Sequence, residues 1–279
     1  MAEPKSRRVE DLGPRLLSAL SLIPLAVGAA AAGGPWLAAA TASAVVALAW
    51  EWASMSEPEA PMPAFWLTMA GALGAVMLAS LGLALWGLVW AGLMGLISAV
   101  RRFGAKRLGG ALEALGGVLY LAAPCVAFLW IRAYPAIGLF AALSLFAIIW
   151  AADGAAYFAG RLVGGPKLLP SLSANKTVAG LVGGLAAGAL AGLAYGGLIG
   201  AHGLAWLFVG LGVAGIGMAG DLFESMLKRR FGVKDASQLI PGHGGVLDRI
   251  DGLMAASLLV ALAMVFFPEP VRRLFGGAQ

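Results

Sequence analysis

The stretch Leu204-Ala-Trp-Leu-Phe-Val-Gly-Leu-Gly-Val-Ala-Gly-Ile-Gly-Met-Ala-Gly220-Asp221-Leu-Phe-Glu224-Ser-Met-Leu227 decides the fold class. It runs from Leu204 to Gly220 without a charge, and its acids come only at the end. As an α-helix rising about 1.5 Å per residue, such a run crosses a hydrocarbon core of about 30 Å. Eight further apolar runs of similar length lie at about 16–33, 36–55, 65–81, 83–100, 112–131, 137–159, 178–200 and 250–267. The fourth is separated from the third near Leu81-Gly82, because one uninterrupted helix over both would overshoot the membrane. The expectation is an all-α polytopic membrane protein of about nine transmembrane helices.

Composition agrees. Of 279 residues, 61% are hydrophobic and 12% charged, with mean hydropathy +0.89. A soluble domain carries about 25% charged residues, so soluble and disordered classes are excluded. The 41 glycines fit closely approaching membrane helices, and those of the seventh run (Gly180, Gly183, Gly184, Gly188, Gly192, Gly196, Gly197) read as a packing face. Cys125 is the single cysteine, so no intrachain disulfide forms. Two histidines, His202 and His243, are too few for a histidine metal cage.

The net charge of +5 reads as basic loops retained in the cytoplasm rather than as a nucleic-acid surface. With the N-terminus cytoplasmic, the inner segments carry 16 Lys and Arg and the outer ones 3. Segments 160–177 and 228–249 then face the cytoplasm, and the pair Arg272-Arg273 is the misfit. The first run, led by Arg7, Arg8 and Arg15, has the outline of a signal peptide, but eight further spans favour an uncleaved helix. The chain divides into 1–110 (spans one to four), 111–177 (spans five and six with a loop) and 178–279 (spans seven to nine).

Acids within membrane spans are costly and usually functional. Glu51 and Glu113, near helix ends, read as interfacial or locally paired. Asp221 and Glu224, three apart, share one helix face that Lys228 continues. Asp248 and Asp251 repeat the spacing at the start of the last long helix. Two such pairs joined by one loop can converge, and carboxylates without thiols suit a hard cation, Mg²⁺ or Mn²⁺. Between the pairs lie Lys234, Asp235 and the run Pro241-Gly242-His243-Gly244-Gly245, glycines that let backbone N–H groups approach an anion before a helix. Lys228, Arg229 and Arg230 add positive charge. Segment 153–177 contributes Asp153, Tyr157, Arg161, Lys167, Ser173 and Lys176, the last two able to hold a phosphate.

Residues 225–251, from Ser225-Met-Leu-Lys228-Arg229 through Lys234-Asp235, Ser237 and Pro241-Gly-His243-Gly244-Gly245 to Asp248-Arg249-Ile-Asp251, closely resemble the signature of the phosphatidate cytidylyltransferases (CDP-diacylglycerol synthases). Gly220-Asp221-Leu-Phe-Glu224 and Asp153-Gly-Ala-Ala-Tyr157-Phe-Ala-Gly160-Arg161 are similar to that family as well. The family usually has Ser-Pro-x-Lys-Thr followed by Trp, an acid or amide, and Gly. This chain reads Ser173-Ala-Asn-Lys176-Thr-Val178-Ala179-Gly180, keeping the serine and lysine but not the proline, aromatic or polar residue.

The resemblance implies CTP and phosphatidic acid as substrates, CDP-diacylglycerol and pyrophosphate as products, and Mg²⁺ dependence. It further implies a monovalent cation such as K⁺, a homodimer, and a bacterial inner-membrane enzyme facing the cytoplasm. On this reading Asp221 and Asp248 bind Mg²⁺, with Glu224 and Asp251 as further ligands. Lys176, Lys228 and Arg229 serve the phosphates, and His243 either contacts a phosphate or holds the glycine turn. Asp153, Tyr157, Ser173, Lys234, Gly244, Gly245 and Arg249 bind substrate. The rival classes are a CDP-alcohol phosphotransferase, whose usual Asp-Gly-x-x-Ala-Arg run is absent, and a divalent-cation transporter, which needs neither basic triplet nor glycine loop.

Overall fold

The computed structural model describes residues 12–170, 172–201, 203–239 and 244–275, with side chains for all but 12–20, 105–107 and 174. The helices are α1 (Leu12–Ala32), α2 (Gly34–Ser56), α3 (Pro61–Ser80), α4 (Ala84–Ala133) and α5 (Gly138–Leu162). A two-stranded antiparallel hairpin follows, β1 (Lys167–Leu169) and β2 (Ser173–Thr177). Helices α6 (Val178–Leu198), α7 (Gly203–Arg230), α8 (Leu247–Phe266) and the short α9 (Pro268–Leu274) complete the chain. The protein is an all-α polytopic membrane protein. Among the described residues, eight helical segments are long and apolar enough to cross a membrane. Each overlaps one of the expected runs. The ninth expected run, 16–33, falls on α1, whose apolar described part is Ser21–Ala32.

Two segments expected as loops are ordered instead. Residues 101–111 lie inside α4, which is helical over 50 residues. A Cβ built on Gly95 would lie 2.8 Å from Leu115 Cδ1. In a straight helix, residues 20 apart are separated by about 30 Å, so α4 doubles back into two membrane-length arms, Ala84–Gly104 and Leu108–Ala133. Sequence alone marks four basic residues there as a loop. Arg101 and Arg102 are instead ion-paired helical residues on Glu57, and Arg102 also donates to the Ser56 carbonyl at 2.9 Å. Segment 160–177 contains the hairpin, whose second strand leads into α6. There Thr177 Oγ1 accepts from Gly180 N at 3.0 Å and caps the helix.

The charged segments collect at one end of the bundle. Glu57 meets Arg101 and Arg102, Arg230 meets Glu113 at 3.0 Å, and Lys176 meets Asp221 at 2.7 Å. At the opposite end Arg132 donates to the Ala30 and Ala31 carbonyls, Arg272 to the Tyr134 hydroxyl, and Trp206 to the Leu274 carbonyl. The glycine stripe of α6 is a packing face as expected, except that Gly183 meets only Ala159 and Ala155 of α5 and Gly197 is exposed with open space beside it. Gly180, Gly184, Gly188, Gly192 and Gly196 are buried, seated against α5 on one side and α7 on the other.

Candidate active site

Helices α7 and α8 cross at backbone contact. A Cβ on Gly220 would fall 2.6 Å from Ala255 Cβ and 2.9 Å from the Asp251 carbonyl. Only a residue without a side chain allows this approach, and it sets Asp221, one residue later, beside Asp251. The glycine of the Gly220-Asp221 pair thus lets the two helices deliver carboxylates to one place.

Ligand oxygens of Asp221, Glu224 and Asp251 lie within 4.8 Å of one another. Glu224 is 1% exposed, and its Oε1 has no hydrogen-bond partner. A buried carboxylate oxygen left without a donor is costly, whereas a hard cation accepts such oxygens as ligands. The donor set, three carboxylates of which one has an orphaned oxygen, therefore fits a divalent cation.

Asp248 is engaged differently. It accepts from Lys228 Nζ at 2.5 Å, from Gly245 N at 2.8 Å and from Ala236 N at 3.3 Å. Lys228 also meets Glu224 Oε2 at 2.8 Å, so it bridges the two acids. Gly244 has φ +82°, and a Cβ there would approach Asp248 Oδ2 to 2.9 Å. The glycine is required both by its left-handed backbone and by that carboxylate. Gly244 and Gly245 thus wrap the loop around Asp248.

Above the carboxylates opens a cavity of about 1050 Å³. Its wall carries Asp153, Tyr157, Lys176, Asp221, Asp248, Arg249 and Asp251, so seven of the sequence candidates share one space. Lys176 reaches in from β2, pairing with Asp221 and lying 3.4 Å from Ser225 Oγ. Tyr157 accepts from Arg161 at 2.8 Å, and Arg161 lines the cavity as well. Leu168, Leu181, Met218 and Leu222 give the same wall an apolar side. The space therefore offers both charged and hydrocarbon surfaces at one end of the bundle.

Other candidates stand apart from that lining. Ser173 starts β2 opposite Leu169, and Lys234 is exposed on the loop before α8. Arg229 donates Nε to the Leu172 carbonyl at 3.2 Å, tying the hairpin to α7. His243 lies outside the described residues.

Glu51 carries more than its sequence reading. It is fully buried and accepts from Ser237 Oγ at 2.6 Å, Val246 N at 2.7 Å and Leu247 N at 2.8 Å. These partners are almost 200 residues away in sequence. The available signal was the charge itself, set between Trp50 and Trp52 in an apolar run.

Membrane-length helices that converge on a carboxylate cluster and a cavity with charged and apolar walls define the class: an integral membrane protein with a candidate cation site at one end of its bundle. More particularly, the family model described as the cytidylyltransferase family matches residues 14–267, and the chain belongs to that family. It is similar to the phosphatidate cytidylyltransferase of Brucella suis, 43% identical over 156 residues, 55% of this chain and 57% of that one. The Haemophilus influenzae protein of the same name is 46% identical over 125 residues, 43% of each chain. That of Staphylococcus aureus is 39% identical over 130 residues, 46% of this chain and 50% of the relative. The matches thus span about half the length of these relatives.

Proposed function

We propose that this protein is a phosphatidate cytidylyltransferase, transferring CMP from CTP to phosphatidic acid to give CDP-diacylglycerol and pyrophosphate. The observation that carries the reading is the meeting of Asp221, Glu224 and Asp251 with Lys176 and Arg249 beside one cavity. The names of the relatives point the same way.

A phosphate oxygen of the lipid attacks the α-phosphorus of CTP. A new P–O bond forms, the bond to the bridging oxygen breaks, and pyrophosphate leaves with the electron pair. The lipid phosphate is itself the anionic nucleophile, so the chain supplies alignment and charge balance rather than a nucleophile. Asp221, Glu224 and Asp251 would hold a divalent cation, Mg²⁺ in this reading with Mn²⁺ as a substitute. When bound it supplies charge neutralisation and polarises the phosphoryl group. Asp248 joins that set through the Lys228 bridge to Glu224, and a monovalent cation such as K⁺ is a further candidate for the same carboxylates.

Lys176, Arg161 and Arg249 balance charge on the nucleotide and lipid phosphates, and the apolar wall receives the start of the acyl region. Lys228 and Arg229 act on the scaffold: Lys228 holds two carboxylates and Arg229 holds the hairpin. The excess of basic residues in the segments at this end supports a cytoplasmic, inner-membrane orientation, where CTP is at hand. Dimerisation follows only from the family resemblance.

The test is pyrophosphate release by purified protein in detergent with CTP and Mg²⁺, with and without phosphatidic acid. Lipid-dependent release is the expected result. A CDP-alcohol phosphotransferase would release CMP from CDP-diacylglycerol instead, and a cation transporter would give neither product.

A further inference from the structure

We propose that Glu51 is a positioning residue for this site, a cap supplied from another helix that fixes the start of α8 and through it Asp248 and Asp251. The first N–H groups of any helix lack partners within it. Usually a Ser, Thr, Asp or Asn at the N-cap supplies an acceptor. The N-cap of α8 is Val246, which has no side chain able to do so. The carboxylate of Glu51, on α2, takes that role, accepting from both Val246 N and Leu247 N. An anionic acceptor there also complements the positive end of the helix dipole.

The same carboxylate binds Ser237 Oγ, whose oxygen in turn accepts from Leu239 N at 3.1 Å. A Cβ on Gly245 would come within 2.7 Å of Glu51 Oε1. Glu51 therefore grips the loop before α8 at two points, Ser237 and Val246-Leu247, which flank the glycine pair in sequence. Asp248 grips the same loop through Ala236 N and Gly245 N. Asp248 bonds Lys228, Lys228 bonds Glu224, and Glu224 belongs to the carboxylate cluster. A chain of charge-assisted bonds thus runs from α2 to the cluster without Glu51 touching the cavity.

Glu51→Gln is nearly isosteric but carries no charge and turns N–H donors toward N–H donors. The kinetic consequence rests on the cytidylyltransferase reading, whereas the structural one does not. The experiment combines hydrogen exchange of residues 236–252 with the Mg²⁺ dependence of turnover, on full-length wild type, E51Q and S237A in detergent. In E51Q, exchange at Val246 and Leu247 rises while α5 and α6 stay protected, and the Mg²⁺ requirement or turnover worsens by about 10- to 100-fold.

S237A, which keeps both backbone bonds, shows the same two changes to a smaller extent. If E51Q cannot be recovered folded, S237A decides alone: parallel changes support the proposal and an unaltered profile overturns it. Unchanged exchange at 246–247 in E51Q overturns it, as does faster exchange with both turnover and Mg²⁺ dependence at the wild-type level. If wild type itself transfers no cytidylyl group, the functional reading falls, and exchange alone decides whether Glu51 holds α8.

Discussion

Two charged clusters occupy the same end of this bundle, and they are built to opposite rules. In the first, Arg101, Arg102 and Arg230 face Glu57 and Glu113, and each carboxylate has arginine partners. In the second, Asp221, Glu224, Asp248 and Asp251 share Lys176 and Lys228, and Glu224 Oε1 is left with no donor. Charges that saturate one another join helix ends. Charges that leave a buried oxygen unsatisfied keep a place for something else. On the proposed reading the first cluster is scaffold and the second is the candidate site, although in sequence both are acids and bases near helix termini.

The sharpest way to break this contrast is to neutralise one carboxylate in the second cluster. Asp221→Asn and Asp251→Asn are expected to lower turnover on the order of 10²–10³-fold, with the elution profile in detergent unchanged. An active variant would make the cluster scaffold after all.

A second test moves the helices rather than the charges. Gly220→Leu drives a side chain into Ala255 and the Asp251 backbone, an overpacking worth about 1–3 kcal/mol. It should lower both thermal stability and turnover, the latter because Asp221 and Asp251 separate. Gly197→Leu, where a Cβ would meet open space, is the control and should leave both intact.

The first cluster should respond in stability alone. Burial would raise the Glu57 carboxyl, but hydrogen bonds from Arg101 and Arg102 outweigh it and hold it below its ordinary value of 4.5. Its stabilisation is therefore present above pH 4.5 and is lost as pH falls through the lower folded value. Melting of wild type should weaken across that acidic window, and Glu57→Gln should lose that part of the pH dependence while its folded fraction turns over normally. Glu113→Gln is expected to matter least. Arg230 is 59% exposed in that pair, and such ion pairs contribute about 0–1 kcal/mol.

The helices were legible because the membrane imposes a length and a hydropathy that a single chain displays. The run from Leu204 to Leu227 became α7 with its bounds shifted by a few residues. The candidate site was legible where spacing is local. Asp221 with Glu224, and Asp248 with Asp251, each lie on one helix, and their convergence follows from one connecting loop. What escaped depends on contacts distant in sequence. Nothing near Glu51 announces Ser237 or Leu247, and nothing near Arg101 announces Glu57. The fold of α4 was hidden for a related reason: helical backbone persists where four basic residues suggest a loop. Asp248 shows the remaining gap. Sequence placed it with the metal ligands, whereas its present partners are Lys228 and two backbone N–H groups.

The most direct test of the central claim follows the α-phosphate of CTP. Wild type and Asp251→Asn, purified in the same detergent, are given α-labelled CTP, phosphatidic acid and Mg²⁺, and the lipid extract is counted. The account predicts label in the lipid phase for wild type, none without Mg²⁺, and little with Asp251→Asn. Label confined to the aqueous phase with wild type, or equal lipid labelling by both proteins, would contradict it.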